Sequence, residues 1–463
     1  MKFSVADNIR TDQLYISAIE VVRILQQNNY EACLAGGSVR DMVMGANPVD
    51  YDIATSAIPQ QVIQLFPRTV AIGAAFGVVV VLHKGFTFEV ATFRAETSYT
   101  DGRRPDVVTF TSPEDDVKRR DFTINGLLFD PFAGKIMDYV GGIRDIENRV
   151  IRSIGNPDER FMEDHLRILR AIRFSARFDF AIEKNTLESV GRFSDKITRV
   201  SMERIRDEIE KIITSPGCGK GLRLLVSTGI LNFILPEIAD LKGVEQNPLW
   251  HPEGDVLEHV IRAFESIDSF PVEPVLAWAL LFHDVGKKDA YSTEKGKITF
   301  YHHESIGGNI ALESLKKLRL SRNMISDCSN LIFDHMKLMH IRVMKNSTAK
   351  KLMARKLKTK PDEKRGYFIL LTELNKYDNL NNEERLEDYK YAKSLLESIP
   401  LGTEKPAPLL GGDDLIELGF VQGPLIGEVL KTLSEGQLDG LFSTREDAIA
   451  YARKRLNKLS ENV

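Results

Sequence analysis

The segment GGSVRDMVMGANPVDYDIATS, residues 36–56, combines residue types that suit phosphate and metal-ion chemistry. YEACLA before it predicts a strand and SVRDMVMG predicts a helix, so backbone N–H groups at the helix start should face whatever lies beyond Gly37. DYDIAT predicts a second strand, on which Asp50 and Asp52 project from the same face. Two adjacent carboxylates repel each other, and divalent cations with oxygen ligands relieve this repulsion. The pattern favours phosphoryl or nucleotidyl transfer with two metal ions, although an Asp-x-Asp on an ordinary surface is the alternative.

The motif RRDFTIN, residues 119–125, places Arg119 and Arg120 beside a predicted helix N-cap. Guanidinium groups suit the oxygens of a triphosphate, because they donate paired hydrogen bonds. A surface Arg–Asp pair that caps a helix is the alternative.

The motif EDHLRILRAIRF, residues 163–174, predicts a helix that carries Asp164, Arg167 and Arg170 within about 120° of arc. A carboxylate beside a guanidinium can match the pairing edge of cytosine or adenine. The carboxylate accepts from the exocyclic amino group, and the guanidinium donates to a ring nitrogen. Uracil has a carbonyl group where the amino group is needed, so such a site selects C and A. An exposed salt bridge between residues three apart is the alternative reading of the motif.

The composition is that of an ordinary globular protein. The chain has 463 residues, of which 43% are apolar and 28% charged, enough for three or four domains. Its formal net charge is −4, so affinity for nucleic acid must come from local basic surfaces.

The three cysteines are far apart and form no CxxC pair, which argues against disulfides and thiolate zinc sites and fits the cytoplasm. The longest apolar runs are shorter than the roughly 20 residues that cross a bilayer, and the N-terminus lacks the apolar core of a signal peptide. We therefore expect a cytoplasmic protein without a membrane partner.

The pattern of the chain changes near residue 140 and predicts an α+β fold. Before this point short β-branched segments alternate with helical patterns, which indicates a mixed sheet with flanking helices. After it, amphipathic helical patterns dominate. Stretches rich in Pro and Gly mark linkers near residues 242–255 and 398–412. The predicted segments are 12–140, 141–245, 250–395 and 400–463.

Several motifs together resemble those of bacterial class II tRNA nucleotidyltransferases and the related poly(A) polymerases. They are LAGGSVRD, PVDYDIAT, FEVATFRAETSYTDGRRPDVVTF, RRDFTINGLLFDP and EDHLRILRAIRFSARF, in this order between about residues 34 and 180. The resemblance implies a polymerase-β-like nucleotidyltransferase head over 12–140 and a helical neck and body with a base-templating helix over 141–245. It also implies a helical, tRNA-contacting tail over 400–463.

The same resemblance implies roles for individual residues. Asp50 and Asp52 would be catalytic and hold Mg²⁺, and Glu89 would be a third carboxylate near the metal or a solvent-facing strand residue. The implied nucleotide-binding residues are Gly37, Arg40, Arg119, Arg120, Asp121, Asn125, Asp164, Arg167, Arg170 and Arg173. The DGRRP loop, residues 101–105, resembles a loop that takes part in the switch to ATP.

A second candidate centre lies in the segment 250–395. His259, the dipeptide His283–Asp284 and Asp378 follow the order of ligands in HD-type metal phosphohydrolases, with His302 and His303 as further candidates. Imidazole and carboxylate ligands suit a divalent transition metal with an activated water. An inactive HD scaffold is the alternative, and His251 competes with His259 as a ligand.

The sequence therefore predicts a tRNA nucleotidyltransferase that uses CTP and ATP to add CCA, or only the last A beside a separate CC-adding enzyme. One rival is a poly(A) polymerase. The other is an HD-type phosphohydrolase whose head positions RNA. A basic run at residues 350–365 and the turn GFVQGPLIG are the candidate RNA contacts.

Overall fold

The computed structural model describes residues 1–73, 77–97, 107–248, 251–252, 254–294, 297–379, 383–402, 404 and 406–460. These residues form two compact units, Met1–Pro236 and Glu237–Val463. Within the described ranges, no helix is long and apolar enough to cross a membrane. The DGRRP loop lies outside the described residues.

The first unit contains the predicted head and the helices that follow it. Its helices are α1 (Asp7–Arg10), α2 (Gln13–Gln27), α3 (Gly37–Val43), α4 (Pro59–Leu65), α5 (Pro113–Lys118), α6 (Gly142–Glu147), α7 (Pro157–Glu163), α8 (Arg167–Phe178), α9 (Lys184–Arg192), α10 (Met202–Ile213), α11 (Cys218–Ser227) and α12 (Leu231–Ile234), with 3₁₀ turns at Thr123–Asn125 and Ser194–Arg199. Its strands are β1 (Ala32–Ala35), β2 (Asp52–Thr55), β3 (Thr69–Gly73), β4 (Val78–His83), β5 (Phe86–Thr92), β6 (Arg94–Thr97), β7 (Val107–Phe110), β8 (Leu127–Asp130), β9 (Lys135–Asp138), β10 (Val150–Ile151) and β11 (Ala181–Ile182).

Among the described residues, seven strands form one mixed sheet in the order β3-β4-β5-β2-β1-β8-β9. β2 pairs parallel with β5, and its other neighbour, β1, is antiparallel to it. Ala35 at the end of β1 pairs with Asp52 at the start of β2, so the turn into α3 lies beside the predicted metal carboxylates. Gly36 in this turn has φ +69°, and a Cβ atom there would lie 2.9 Å from the Arg120 guanidinium. Only glycine fits this position without strain.

The sequence predicted one helix through EDHLRILRAIRF, and the structure divides it. α7 ends at Glu163, Asp164 has an extended backbone (φ −143°, ψ 104°), and α8 begins at Arg167. Asp164 accepts a hydrogen bond from the Leu166 N–H at 3.0 Å, the local capping bond that lets Asp interrupt a helix. Asp164 therefore does not share a helical face with Arg167 and Arg170.

The second unit is mainly helical. Its helices are α13 (Pro236–Ala239), which starts at the boundary, α14 (Val256–Glu265), α15 (Pro274–Phe282), α16 (Lys287–Ala290), α17 (His303–Lys317), α18 (Arg322–Asp334), α19 (Asn346–Met353), α20 (Gly366–Asp378), α21 (Glu383–Ser398), α22 (Gly412–Glu417), α23 (Pro424–Leu438) and α24 (Arg445–Ser460), with a 3₁₀ segment at His335–Val343. A short hairpin joins β12 (Ser292–Glu294) to β13 (Lys297–Thr299).

The apolar run VLAWALLF forms most of α15, whose residues 275–282 are all buried, so this run is a core helix. The turn GFVQGPLIG lies between α22 and α23, as the sequence predicted, and α22 to α24 enclose a small core with Leu415, Phe420 and Val429. The α+β fold class is confirmed. The predicted all-helical remainder differs in one respect, because short pairs of strands, β10–β11 and β12–β13, interrupt it.

Candidate active site

A cavity of about 540 Å³ in the first unit, here called the head cavity, gathers the predicted nucleotide and metal residues. It lies where β2 and β5 face α8 and α10. The predicted residues that line it are Gly37, Arg40, Asp50, Asp52, Glu89, Arg119, Arg120, Asp121, Asn125, Asp164, Arg167, Arg170 and Arg173. The structure thus brings together positions that are up to 136 residues apart in the chain, from Gly37 to Arg173.

Three carboxylates form the acidic side of the head cavity. Ile53 of β2 pairs with Val90 of β5, so the preceding residues, Asp52 and Glu89, emerge side by side from parallel strands. Asp50, Asp52 and Glu89 are all exposed to the cavity. No ion pair or hydrogen bond of the described residues involves any of the three side chains.

At Asp52, burial and negative charge outweigh the opposing effect of the Arg120 guanidinium. Partial loss of hydration, together with repulsion from Asp50 and Glu89, raises the pKa of Asp52 to about 6. A divalent cation with oxygen ligands would remove this repulsion, so the three carboxylates fit Mg²⁺. In the described part of the chain, groups of three or more residues with ligand atoms within 4.8 Å of one another occur only in the second unit. The carboxylate oxygens of Asp50, Asp52 and Glu89 therefore do not all lie within that distance of one another.

The opposite side of the cavity is a connected network of charged and amide side chains. The Arg40 guanidinium donates to Asp41 at 2.8 Å and to the Asn125 amide oxygen at 2.5 Å. Asn125 donates to Asp121 at 3.1 Å, and Arg170 donates to the other oxygen of Asp121 at 2.7 Å. Burial alone would raise the pKa of Asp121, but Arg170, the hydrogen bond from Asn125 and the charge of Arg167 together outweigh it and lower the pKa to about 2. The network fixes Arg40 and Arg170 in place before any ligand binds.

Arg119 and Arg120 are held by a residue that the sequence analysis missed. The side chain of Asp116, on α5, is almost completely buried and contacts the Arg119 guanidinium at 2.6 Å and that of Arg120 at 3.1 Å. Burial opposes ionisation of Asp116, but the two arginines outweigh it and lower its pKa. The spacing of three and four residues on a helix was the available signal for this contact.

The two predicted templating residues have separate partners. Asp164 forms an ion pair with Arg204 of α10 at 2.8 Å. Arg167 contacts Glu163 at 2.7 Å and donates to the Arg119 carbonyl oxygen at 3.0 Å. Both templating side chains line the head cavity, and each is held there by a different partner.

Two further arginines line the head cavity at its helical side. Arg173 is buried against Glu208 of α10 at 2.6 Å, and this contact holds its guanidinium within the protein. Arg177, one turn further along α8, also lines the cavity, and the motif analysis did not select it. Arg204 belongs to no motif and lies 40 residues after Asp164, so sequence reasoning had no signal for this pair.

The second unit brings together the four residues predicted as ligands of a transition metal. Ligand atoms of His259, His283, Asp284 and Asp378 lie within 4.8 Å of one another, and we call this group the histidine cluster. His259 Nε2 lies 3.0 Å from Asp378 Oδ1, and His283 Nε2 lies 3.3 Å from the same oxygen. The residues come from α14, the end of α15 and the end of α20, across 119 residues of sequence.

A second group of ligand atoms shares one residue with the histidine cluster. Asp284, His303 and His335 also lie within 4.8 Å of one another, with the two imidazole Nε2 atoms 3.2 Å apart. His335 was missed by the sequence analysis. His302, a candidate there, is 83% exposed in its side chain and belongs to neither group. His251 lines the adjacent cavity of about 320 Å³.

The imidazoles are arranged as metal ligands commonly are. The Nδ1 atoms of His283, His303 and His335 lie 2.8, 2.9 and 2.6 Å from backbone carbonyl oxygens, which leaves each Nε2 free to face the cluster. His283 Nε2 and Asp284 Oδ2 are buried without a well-directed hydrogen bond, although Lys287 Nζ is 2.7 Å from that oxygen. A divalent cation would satisfy both atoms.

Charges within the cluster are strongly coupled. Burial disfavours the charged imidazolium of His283, but Asp284 and Asp378 outweigh it and raise its pKa to about 10. Burial and the neighbouring His303 lower the pKa of His335 to about 4. In the absence of metal, a proton on His283 thus supplies positive charge that the two carboxylates require.

The mixed sheet, its three carboxylates and the arginines opposite them define a nucleotidyltransferase head. A family model described as the poly A polymerase head domain matches residues 32–152, and one described as the probable RNA and SrmB-binding site of polymerase A matches residues 179–242. The chain belongs to the CCA-adding enzyme family, as alignment along nearly its whole length shows. It is 30% identical to the CCA-adding enzyme of Anoxybacillus flavithermus over 92% of this chain and 94% of that relative.

Other relatives agree with this assignment. The chain is 43% identical to the CCA-adding enzyme of Geobacillus sp. strain WCH70 over 48% of this chain, and this alignment spans about half, 55%, of the relative. The crystal structure of the Bacillus stearothermophilus CCA-adding enzyme in complex with CTP covers 98% of this chain and 100% of its own, with 26% identity and a TM-score of 0.74.

Proposed function

We propose that this protein adds CCA, or the terminal A alone, to the 3′ end of tRNA by transferring CMP and AMP from CTP and ATP. The observation that carries the proposal is the head cavity, whose lining combines the carboxylates of Asp50, Asp52 and Glu89 with a set of arginines and with the side chains of Asp164 and Arg167. The Bacillus stearothermophilus CCA-adding enzyme, whose structure aligns with 98% of this chain, was crystallised in complex with CTP. The reaction would take place in the cytoplasm, where the buried thiol groups of Cys33, Cys218 and Cys328 would stay reduced.

The acidic side of the cavity would carry the chemistry of transfer. Asp50 and Asp52 would hold Mg²⁺, with Glu89 beside them, and the bound cation would activate the 3′-hydroxyl of tRNA and stabilise the departing pyrophosphate. Asp52 is fixed at the start of β2, and Asp50 lies two residues before this strand. Their carboxylates have no other cationic partner among the described residues.

The basic side would bind the nucleotide. Arg119 and Arg120, held by Asp116, can extend their remaining N–H groups to the triphosphate. Arg40, Asp121, Asn125 and Arg170 form the network beside them, and this preorganised arrangement reduces the entropy lost on binding.

The base would be selected by hydrogen bonds to protein side chains. The Asp164 carboxylate accepts from the amino group of cytosine or adenine, and Arg167 donates to the ring nitrogen. Both side chains are partly buried, so an unmatched carbonyl group of uracil would meet the carboxylate with little water between them.

The decisive experiment offers three tRNA substrates to the purified protein, ending before CCA, in C and in CC, each with CTP, ATP or both. A CCA-adding enzyme extends all three to CCA. An enzyme that adds only A extends the CC end alone and implies a separate CC-adding partner. Long runs of A on any RNA would identify the poly(A) polymerase instead, and no incorporation with any substrate would overturn the proposal.

We propose a second function, metal-dependent phosphohydrolysis, at the HD-type centre of the second unit. Its support is the convergence of two ligand groups on the shared carboxylate of Asp284, which suits two divalent transition metals. The cluster residues would hold the metals, and the bound metals would supply an activated water. Lys287 beside Asp284 and the adjacent cavity offer a cationic place for a phosphate group.

This second function is tested by metal binding and hydrolysis together. Ni²⁺, Mn²⁺, Co²⁺ or Zn²⁺ should bind the metal-free protein in a ratio of up to two per chain. At least one of these ions should support hydrolysis of a phosphomonoester or phosphodiester. Protein with Asp52→Asn should retain that hydrolysis, since Asp52 belongs to the first unit. Metal binding without any hydrolysis would leave the cluster a structural site and overturn the proposed activity.

A further inference from the structure

The structure gives Asp164 a partner that lies outside every sequence motif. Arg204 on α10 donates to Asp164 Oδ2 at 2.8 Å, while the Leu166 N–H donates to Oδ1 at 3.0 Å. One donor on each oxygen fixes both the position and the plane of the carboxylate. Both Asp164 and Arg204 are partly buried, and both line the head cavity.

Arg204 is itself held by a well-packed helix. Ile205, Ile209 and Ile212 bury one side of α10. Glu208, one turn after Arg204, forms the buried ion pair with Arg173 of α8. Residues four apart lie on one helical face, so Arg204 and Glu208 contact Asp164 and Arg173 from the same side of α10.

The neighbouring guanidinium of Arg167 does not take over this role. Arg167 is held by Glu163 and by the backbone carbonyl oxygens of Arg160 and Arg119. Asp164 lies outside the helix that carries Arg167, so its orientation depends on contacts from elsewhere.

We propose that Arg204 is a positioning residue for base selection, acting through the Asp164 carboxylate that it orients. This inference rests on the proposed nucleotidyl transfer and adds a residue that determines its specificity. With the carboxylate plane fixed, the free lone pairs face the cavity and accept from the amino group of C or A. Without Arg204 the carboxylate can rotate about its side-chain bonds, and its preference for an amino group over a carbonyl group weakens.

The test compares Arg204→Met with Arg204→Lys and with Arg206→Met. Met keeps much of the length of Arg but removes the charge and the donor, whereas Lys restores one charged donor. Arg206 lies on the same helix, pairs with Asp207 and does not line the cavity, so its variant is the matched control. Each variant is assayed for incorporation of CTP and UTP into tRNA, and its melting temperature reports on folding.

Arg204→Met should lower the preference for CTP over UTP by about ten- to a hundredfold, the range expected for one hydrogen bond to a charged group. Arg204→Lys should recover much of it, and Arg206→Met should match wild type within about twofold. In an Asp164→Ala background, Arg204→Met should change the preference by less than about twofold, because its target is gone.

Two results would overturn the inference. One is an unchanged CTP-to-UTP preference in a folded Arg204→Met protein. The other is an equal change with and without Asp164, which would show that Arg204 acts independently of it. The same preferences are measured by equilibrium binding of CTP and UTP, which needs no turnover. A wild type that incorporates nothing then counts against the proposed function, while the binding preference still decides the role of Arg204.

Discussion

Acidification should weaken the response of the protein to Mg²⁺, because protons compete with the cation for Asp52. Loss of hydration and repulsion from Asp50 and Glu89 raise the pKa of Asp52 from 3.8 to about 6. A group with that pKa is about nine tenths ionised at pH 7 and about one tenth ionised at pH 5. The Mg²⁺ concentration for half-maximal CTP incorporation should therefore rise about tenfold from pH 8 to pH 5. A carboxyl group with an ordinary pKa would change it by only about a tenth.

Charge variants identify the cause of the shift. Glu89→Gln removes one repelling charge, so the pKa of Asp52 should fall and the acid limb of the Mg²⁺ profile should move to lower pH. Any loss of Mg²⁺ affinity at pH 8 in this variant would report Glu89 as a ligand. Glu147→Gln, an exposed change on α6 outside the cavity, should leave the profile unchanged. A wild-type Mg²⁺ requirement that stays within about twofold from pH 8 to pH 5 would refute the assignment of Asp52.

The same shift fixes the sign of a stability effect in the absence of Mg²⁺. The folded protein binds a proton at Asp52 more tightly than the unfolded chain does, because its pKa is raised. The stabilisation is fully present below about pH 4 and is lost as the pH rises through about 6. The melting temperature of Asp52→Asn should increase relative to that of wild type between pH 5 and pH 7. Added Mg²⁺ should reduce this difference. A constant difference between the two proteins would contradict the raised pKa.

Three further predictions concern other residues. Asp116→Asn should raise the KM for CTP several-fold and lower the free energy of unfolding by about 1–3 kcal/mol, because two arginines lose their buried partner. The change Glu114→Gln at an exposed position should have neither effect, as steady-state kinetics and denaturant unfolding would show. Asp164→Ala should let UTP gain on CTP by about ten- to a hundredfold in competition assays, and a uniform loss of rate would contradict the templating role. His283→Ala with Asp284→Ala should abolish metal binding and hydrolysis in the second unit, while CTP incorporation stays near wild type; equal loss of both activities would indicate a structural role.

The parts of the site that the sequence predicted are those fixed by local geometry or by motif order. The predicted strand DYDIAT begins only at Asp52, but exposure alternates as predicted, because Tyr51 is buried between the exposed Asp50 and Asp52. The glycine turn before α3 follows from the backbone conformation that only glycine adopts easily. His283 and Asp284 are sequence neighbours. The proximity of these two residues to His259 and Asp378 was predicted from the order of metal ligands in HD-type phosphohydrolases, not from the periodicity of a helix or strand.

The missed parts depend on tertiary contacts or on competing local bonds. The apolar period of Leu166, Leu169 and Ile172 suggested one helix, but the Asp164 side chain bonds to the Leu166 N–H and interrupts it. The partner Arg204 comes from a helix whose sequence carries no motif. His335 becomes a candidate ligand only because α18 ends beside α17, which places its imidazole 3.2 Å from that of His303.

The basic run at residues 350–365 shows why charge counting overestimates an interaction surface. Lys350 donates to the Leu438 carbonyl oxygen, Lys351 pairs with Glu435, and Arg355 pairs with Asp334. Arg365 is buried against Glu404. These contacts hold α19 and its neighbours together within the second unit. The RNA contact predicted for this run stays a prediction, and it would have to use the remaining lysines.

The charge balance of the head cavity indicates what it is built to receive. Most of its arginines already have acidic partners, as Arg40 has Asp41, Arg170 has Asp121, and Arg119 and Arg120 share Asp116. The guanidinium groups that would contact a triphosphate are therefore fixed in place, and their charge is partly neutralised. They would contribute more to the orientation of the triphosphate than to its electrostatic attraction. Among the described residues, the charged groups that line the cavity without an ion pair are the carboxylates of Asp50, Asp52 and Glu89 and the guanidinium of Arg177. Under the proposed function, the arginines would position the nucleotide, and divalent cations would neutralise much of the phosphate and carboxylate charge between them.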